Sequence, residues 1–188
     1  ADCPVRSRGL WETLSLPSLV LAVLAPLAGE SLQVLAYSFV ALVHLGRWSR
    51  FFYVRVLRVP LLWVLYIGYL FLPLGYALKA AGVWGFFPLH LALHAHTVGC
   101  IGVMILGMMA RVSLGHSGRE IRPRRVTTVS FGLIIVAALL RSVAPAIWPS
   151  RYADWLALSS LAWVLSFGIF AWVYLPILGR PRLDGKPG

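Results

Sequence analysis

The stretch "HLALHAHTVGCIGVMILGMMARVSLGHSGR", His90 to Arg119, decides the fold. It holds four of the five histidines, and from Thr97 to Ala110 it carries no charged side chain. With Pro88 just ahead of it, the apolar run at 88–111 has the length of a membrane-crossing helix, for which about 20 residues suffice. A proline at the start of such a run is tolerated because its missing N–H would have no partner there.

The pattern recurs on both sides of this run. Apolar stretches at 14–28, 31–45, 59–80, 126–144 and 154–177 bring the expected total to six spans. The first two are short, and Gly29 and Glu30 mark a break between them, so they read as two helices. Pro60 and Pro123 stand near the starts of two others. Composition agrees: the 188 residues are 60% hydrophobic and only 12% charged, where a soluble domain carries about twice that charge. Eight Trp, seven Tyr and nine Phe suit a chain that meets both membrane interfaces. The expected fold is a single all-α, polytopic transmembrane helix bundle with a short polar tail at 178–188.

The net charge of +11 is a matter of sidedness. If both termini share one side, that side receives Arg6, Arg8, Arg47, Arg50, Arg55, Arg58, Arg111, Arg119, Arg122, Arg124, Arg125, Arg180, Arg182 and Lys186, which is 14 of the 17 basic residues. Lys79, Arg141 and Arg151 fall on the other. The excess of basic residues marks the cytoplasmic side, so N-in and C-in are expected. The basic "REIRPRR" then faces anionic lipid headgroups, and nucleic acid is not an expected partner. Cys3 and Cys100 make no disulfide framework, and Cys100 reads as a small packing residue.

The histidines raise the chemical question. His90 and His94 are four apart and share a helix face, about 6 Å apart along the axis. His96 lies roughly 160° around from His94 on an α-helix, so a zinc centre of these three alone is not expected. The His interval is that of HExxH, but Leu91 stands where the glutamate would be. Arg111 and His116 lie at the far end of the helix, about 25 Å from His94 for Arg111. His44, near the inner end of the second run, is the expected neighbour of His116 if those two share a site. Neutral imidazole ligates heme iron and copper, and guanidinium suits a propionate or a phosphate. The competing use is interhelical hydrogen bonding by the same histidines.

Gly99, Gly102 and Gly107 read as helix-packing positions. Met104, Met108 and Met109 read as packing rather than as soft-metal ligands. "SLGHSGR", Ser113 to Arg119, reads as a turn leaving the membrane. Arg141, near the outer end of its helix, either snorkels to the interface or pairs with an acidic group beside His90 and His94. Tyr66 and Tyr69 offer hydroxyls to a pocket or to another helix. No CxxCH is present, so a heme here would be a non-covalent heme b.

At this point "HAHTVGCIGVMILGMMARVSLGHSGR" resembles the signature of the NnrS family, in His94, Thr97, Gly99, Gly102, Arg111, Leu114, Gly115, His116, Gly118 and Arg119. The ending "YLPILGRPRLDGKPG" and the segment "LWVLYIGYLFLPLG" are similar to family segments too, and the resemblance covers 61–188. Ser117 departs from the family's threonine, His96 stands where a nonpolar residue is more usual, and Tyr66 stands at a position often held by histidine. The resemblance implies a heme- and copper-associated inner-membrane protein of nitric oxide resistance or denitrification. It also implies that the chain corresponds to the C-terminal half of a longer bundle, with a missing N-terminal half or another membrane subunit as partner. On this resemblance His94 is the first heme or metal ligand, His90, His96, His116 and His44 follow, and Arg111, Arg119 and Arg141 hold propionates or support the ligands. No reaction is implied. A transporter or channel component and a structural membrane anchor are the rival functions.

Overall fold

The computed structural model describes residues 9–183 and 185. Cys3, Arg6, Arg8 and Lys186 lie outside the described residues. Six long helices follow one another: α1 (Leu10–Leu24), α2 (Glu30–Arg50), α3 (Pro60–Val83), α4 (Leu89–His116), α5 (Arg125–Ser142) and α6 (Tyr152–Leu178). A 3₁₀ turn at Ala25–Leu27, carrying Pro26, closes α1, and α2 begins after Gly29.

Five of these segments are long and apolar enough to cross a membrane: Leu10–Leu27, Pro60–Val83, Leu89–His116, Arg125–Ile147 and Pro149–Leu178. The sixth expected span, α2, is long enough at 21 residues but stands apart from the five. Glu30, Gln33, His44, Arg47 and Arg50 lower its hydropathy. The chain is thus an all-α, multi-span membrane bundle.

The distribution of side chains fits lipid as solvent. Leu27, Trp172 and Leu175 are 86%, 72% and 68% exposed. Meanwhile Ser130, Ser142, Ser159, Ser166 and Thr127 are buried. Lipid rewards no apolar burial, so close contact and interhelical hydrogen bonds hold such bundles. The Ser166 hydroxyl donates to the Ser130 carbonyl at 2.7 Å and that of Ser159 to the Ala137 carbonyl at 2.8 Å, tying α6 to α5. Leu61, Val64, Val103, Leu106, Phe131, Ile134 and Tyr174 form the main core, drawn from α3, α4, α5 and α6. On its other side α3 packs against α2, and α2 against α1.

Two expectations change. The helix at 88–111 runs on to His116, so Ser113 to His116 form its last turn and the turn proper is Ser117–Gly118, with Gly118 at φ 67°. The helix is also not α throughout. Ala95–Gly102 is π-helical. The Thr97 hydroxyl donates to the Leu93 carbonyl at 3.2 Å, which competes with the ordinary backbone ladder there. After α6 the Leu183 N–H donates to the Ser117 carbonyl at 3.2 Å, so the start of the tail is tied down to the end of α4.

Candidate functional site

The five histidines occupy four surroundings. His90 is exposed and His94 half-buried on α4, where His94 has His90 and Arg141 of α5 within electrostatic reach. The His90 ring meets Tyr152, at the start of α6, edge-on at 6.5 Å. Two imidazoles and a guanidinium therefore gather on the α4–α5–α6 side. Arg141 itself is half-buried.

His96 faces the other way, into α3. Its ring fills the gap left by Gly75, where a Cβ would stand 2.6 Å from Nε2, and it meets Tyr76 edge-on at 4.6 Å. Nε2 is buried without a hydrogen-bond partner. One and two turns further along α4, Cys100 and Met104 also face α3. Met104 Cγ would be 2.8 Å from a Cβ on Gly68, and Cys100 lies within electrostatic reach of Tyr69 and Tyr76. Cys100 Sγ is 3.8 Å from Met104 Sδ.

His44 is 2% exposed, between α1, α2 and α3. Its Nδ1 is 2.6 Å from the Tyr69 hydroxyl, and Nε2 is 3.5 Å from Ser18 Oγ. Arg47 Nη1 donates to the same Tyr69 oxygen at 3.1 Å, and its guanidinium lies near the Tyr69 and Phe51 rings. Since arginine can only donate, the Tyr69 O–H is free to donate to Nδ1, which leaves the His44 proton on Nε2 toward Ser18. Tyr66 has a separate task. Its hydroxyl donates to the Trp48 carbonyl at 3.3 Å, while the Trp48 indole N–H donates to the Tyr66 carbonyl at 3.0 Å.

His116 is exposed at the end of α4 and with Arg182 lines two clefts, one of about 290 Å³ and one of about 310 Å³ that Arg111 also lines. Arg119 donates to the Ser117 carbonyl at 3.4 Å. His44 and His116 thus have different neighbours and do not form the shared site that their common side suggested. Gly99 packs against Phe71, and Gly107 against Val64 and Leu65. Gly102 has only ordinary contacts, the nearest side-chain atom being Ile134 Cδ1 at 3.9 Å. Sequence reasoning missed the π-helical segment and the shared α3-facing side of His96, Cys100 and Met104. Their i, i+4, i+8 spacing was the available signal.

The arrangement is that of a polytopic helical membrane protein whose imidazoles lie on opposite sides of one helix. A family model described as "NnrS protein" matches residues 2–182, and the chain belongs to that family. The match takes in the first sixty residues, which carried little of the resemblance. No curated protein and no solved structure matches the chain.

The family implies heme and copper, and the donors present can be set against each. Among the described residues, no three His, Cys, Asp or Glu side chains come together as a metal centre. Heme requires only one or two imidazoles, with cations for its propionates, and His90, His94 and Arg141 are a donor set of that kind. The unpartnered His96 nitrogen lies against Gly75, and no donor within the described contacts joins it to complete a copper centre.

Proposed function

We propose that the chain is a heme-associated inner-membrane protein acting in nitric oxide resistance or a denitrification-linked stress response. The carrying observation is the pair His90 and His94 next to Arg141, in a chain of this family. In this reading His94, the less exposed of the two, would hold the heme iron. His90 supports it and Arg141 holds a propionate. Heme when bound supplies an iron at which a diatomic gas can coordinate. The protein's residues hold the macrocycle and set its polarity. Arg111 and Arg119, at the other end of α4, serve anionic headgroups, and His44 serves as interhelical glue. The exposed His90 edge is where a missing half or another membrane subunit would cover the site.

The test is the absorption spectrum of gently solubilised protein expressed with ample heme. A Soret band is expected, with heme occupancy falling at least about tenfold in His94→Ala and unchanged in His116→Ala, since even supporting partners of a metal ligand contribute about 10- to 100-fold. Helical, soluble protein without a Soret band or bound iron would sink the reading.

We further propose six spans, with α2 crossing inside the bundle and both termini cytoplasmic. The support is the 14-to-3 division of basic residues and the length of α2. Ser117 is a poor probe because it is 5% exposed. In a background without Cys3 and Cys100, single cysteines at Phe86, Glu120 and Leu183 are better, since all three side chains are exposed. In intact cells a membrane-impermeant reagent should label only the Phe86 position. The other two should react after permeabilisation. The reverse pattern would overturn the orientation.

A further inference from the structure

We infer that the two clefts at the basic end of α4 together hold one anionic phospholipid that carries two phosphodiesters, a lipid of the diphosphatidylglycerol class. Each cleft offers guanidinium donors: Arg180 and Arg182 line the first, Arg111 and Arg182 the second. His116 lines both, so Arg182 and His116 are common to two anion sites. Among the described residues no carboxylate lines either cleft. Guanidinium presents a planar fork of donors that matches the oxygens of a phosphate. Two phosphates on one molecule match two sites that share residues, and basic pockets at the ends of membrane helices take headgroups of this kind.

The place of the clefts and their other walls favour a lipid over a soluble anion. His116 ends the 28-residue span Leu89–His116, which puts the clefts where headgroups lie. Met108, Val112 and Ile121 form the apolar wall of the second cleft. Met108 and Val112 continue along one exposed side of α4 to Ile105, so an acyl chain leaving the cleft meets apolar surface. The carbonyls at the end of α4 would repel an anion, but they are already occupied. Those of Ser113, Leu114 and Gly115 accept from the N–H groups of Ser117, Arg119 and Gly118. The bond from the Leu183 N–H to the Ser117 carbonyl holds the tail against α4, and with it the neighbouring Arg182. Gly115 leaves the floor of the second cleft open, since a Cβ there would meet nothing within 4 Å.

This inference rests on the headgroup role given to Arg111 above, and not on the heme reading at the other end of α4. The test is native mass spectrometry of the delipidated, detergent-solubilised chain, titrated with cardiolipin, phosphatidylglycerol or phosphatidylcholine. One cardiolipin should bind per chain, at least about tenfold tighter than either other lipid, since a second charge-assisted contact contributes that much or more. Arg182→Gln, which removes a donor from both clefts, should weaken cardiolipin binding at least about tenfold, and by more than Arg111→Gln or Arg180→Gln does. Gly115→Phe should abolish binding by filling the second cleft. Arg58→Gln, exposed in the turn before α3, should bind as the parent does. Circular dichroism and a melting curve show whether each variant is folded. Equal affinity for cardiolipin and either other lipid overturns the proposal. So does a folded Arg182→Gln or Gly115→Phe that keeps the parent's affinity. Displacement of the lipid by equimolar inorganic pyrophosphate would assign the clefts to a soluble anion and overturn it too. A loss in Arg58→Gln as large as in Arg182→Gln overturns the site while leaving a general attraction of Arg111 to headgroups standing. A folded chain that binds neither anionic lipid removes both.

Discussion

Gly99→Leu should lower the melting temperature of the detergent-solubilised protein by several degrees, while Gly102→Ala leaves it unchanged or slightly raised. At Gly99 a Cβ would collide with Phe71 Cδ1 and stand 2.5 Å from its Cγ. Phe71 is 4% exposed, so its ring has nowhere to retreat. Overpacking of that kind costs about 1–3 kcal/mol, and more when the backbone must shift. At Gly102 the nearest neighbours of a Cβ are the Thr97 carbonyl at 3.5 Å and Ile134 Cδ1 at 3.9 Å, both ordinary contacts. An added methyl fits, and alanine is the better helix former by about 0.5–1 kcal/mol. Equal stability of Gly99→Leu and the parent would show that α3 and α4 do not meet there.

Tyr69→Phe should destabilise the fold by about 1–3 kcal/mol, the usual cost of stranding a buried polar group. One lost oxygen strands two partners: His44 Nδ1, now 2.6 Å away, and Arg47 Nη1, now 3.1 Å away. Arg47 Nε already lacks a hydrogen-bond partner, so the guanidinium would keep only its contacts with the rings. His44→Leu removes the other end of the same bond. In a double-mutant cycle the two changes should therefore cost less together than their sum, with a coupling of about 0.6–1.7 kcal/mol, the range seen for polar pairs inside membranes. Strict additivity in thermal unfolding would mean that His44 and Tyr69 do not share the bond.

Both predictions concern contacts between helices, and those were the part least legible in the sequence. Cys100 and Met104 read as packing because each was considered alone. Their sulfurs meet through helical spacing alone, but that Met104 packs on Gly68 of α3 is seen only in the fold. His44 and His116 were expected on one side and so as neighbours. Sidedness carries no lateral information: His44 is enclosed by α1 and α3, and His116 lies with Arg182 near the end of α6. The π-helical segment was missed because α and π helices have the same apolar signature over eight residues, and a single hydroxyl at Thr97 is a weak local signal.

The sequence by itself determined that this chain is a membrane bundle. Long apolar runs punctuated by proline, glycine and arginine leave a chain of this composition few other folds, since backbone polar groups in lipid must be satisfied within each helix. It also determined the family, through motifs that are local and linear. The tertiary structure decided which side of α4 each histidine serves. Arg141 is within electrostatic reach of His94, while His96 and Met104 turn toward α3. The reason is physical. Span length depends on hydropathy summed along the chain, whereas the rotation of a helix about its axis depends on where small residues let a neighbour come close. In α4 those places are set by Gly68 and Gly75, which lie on another helix.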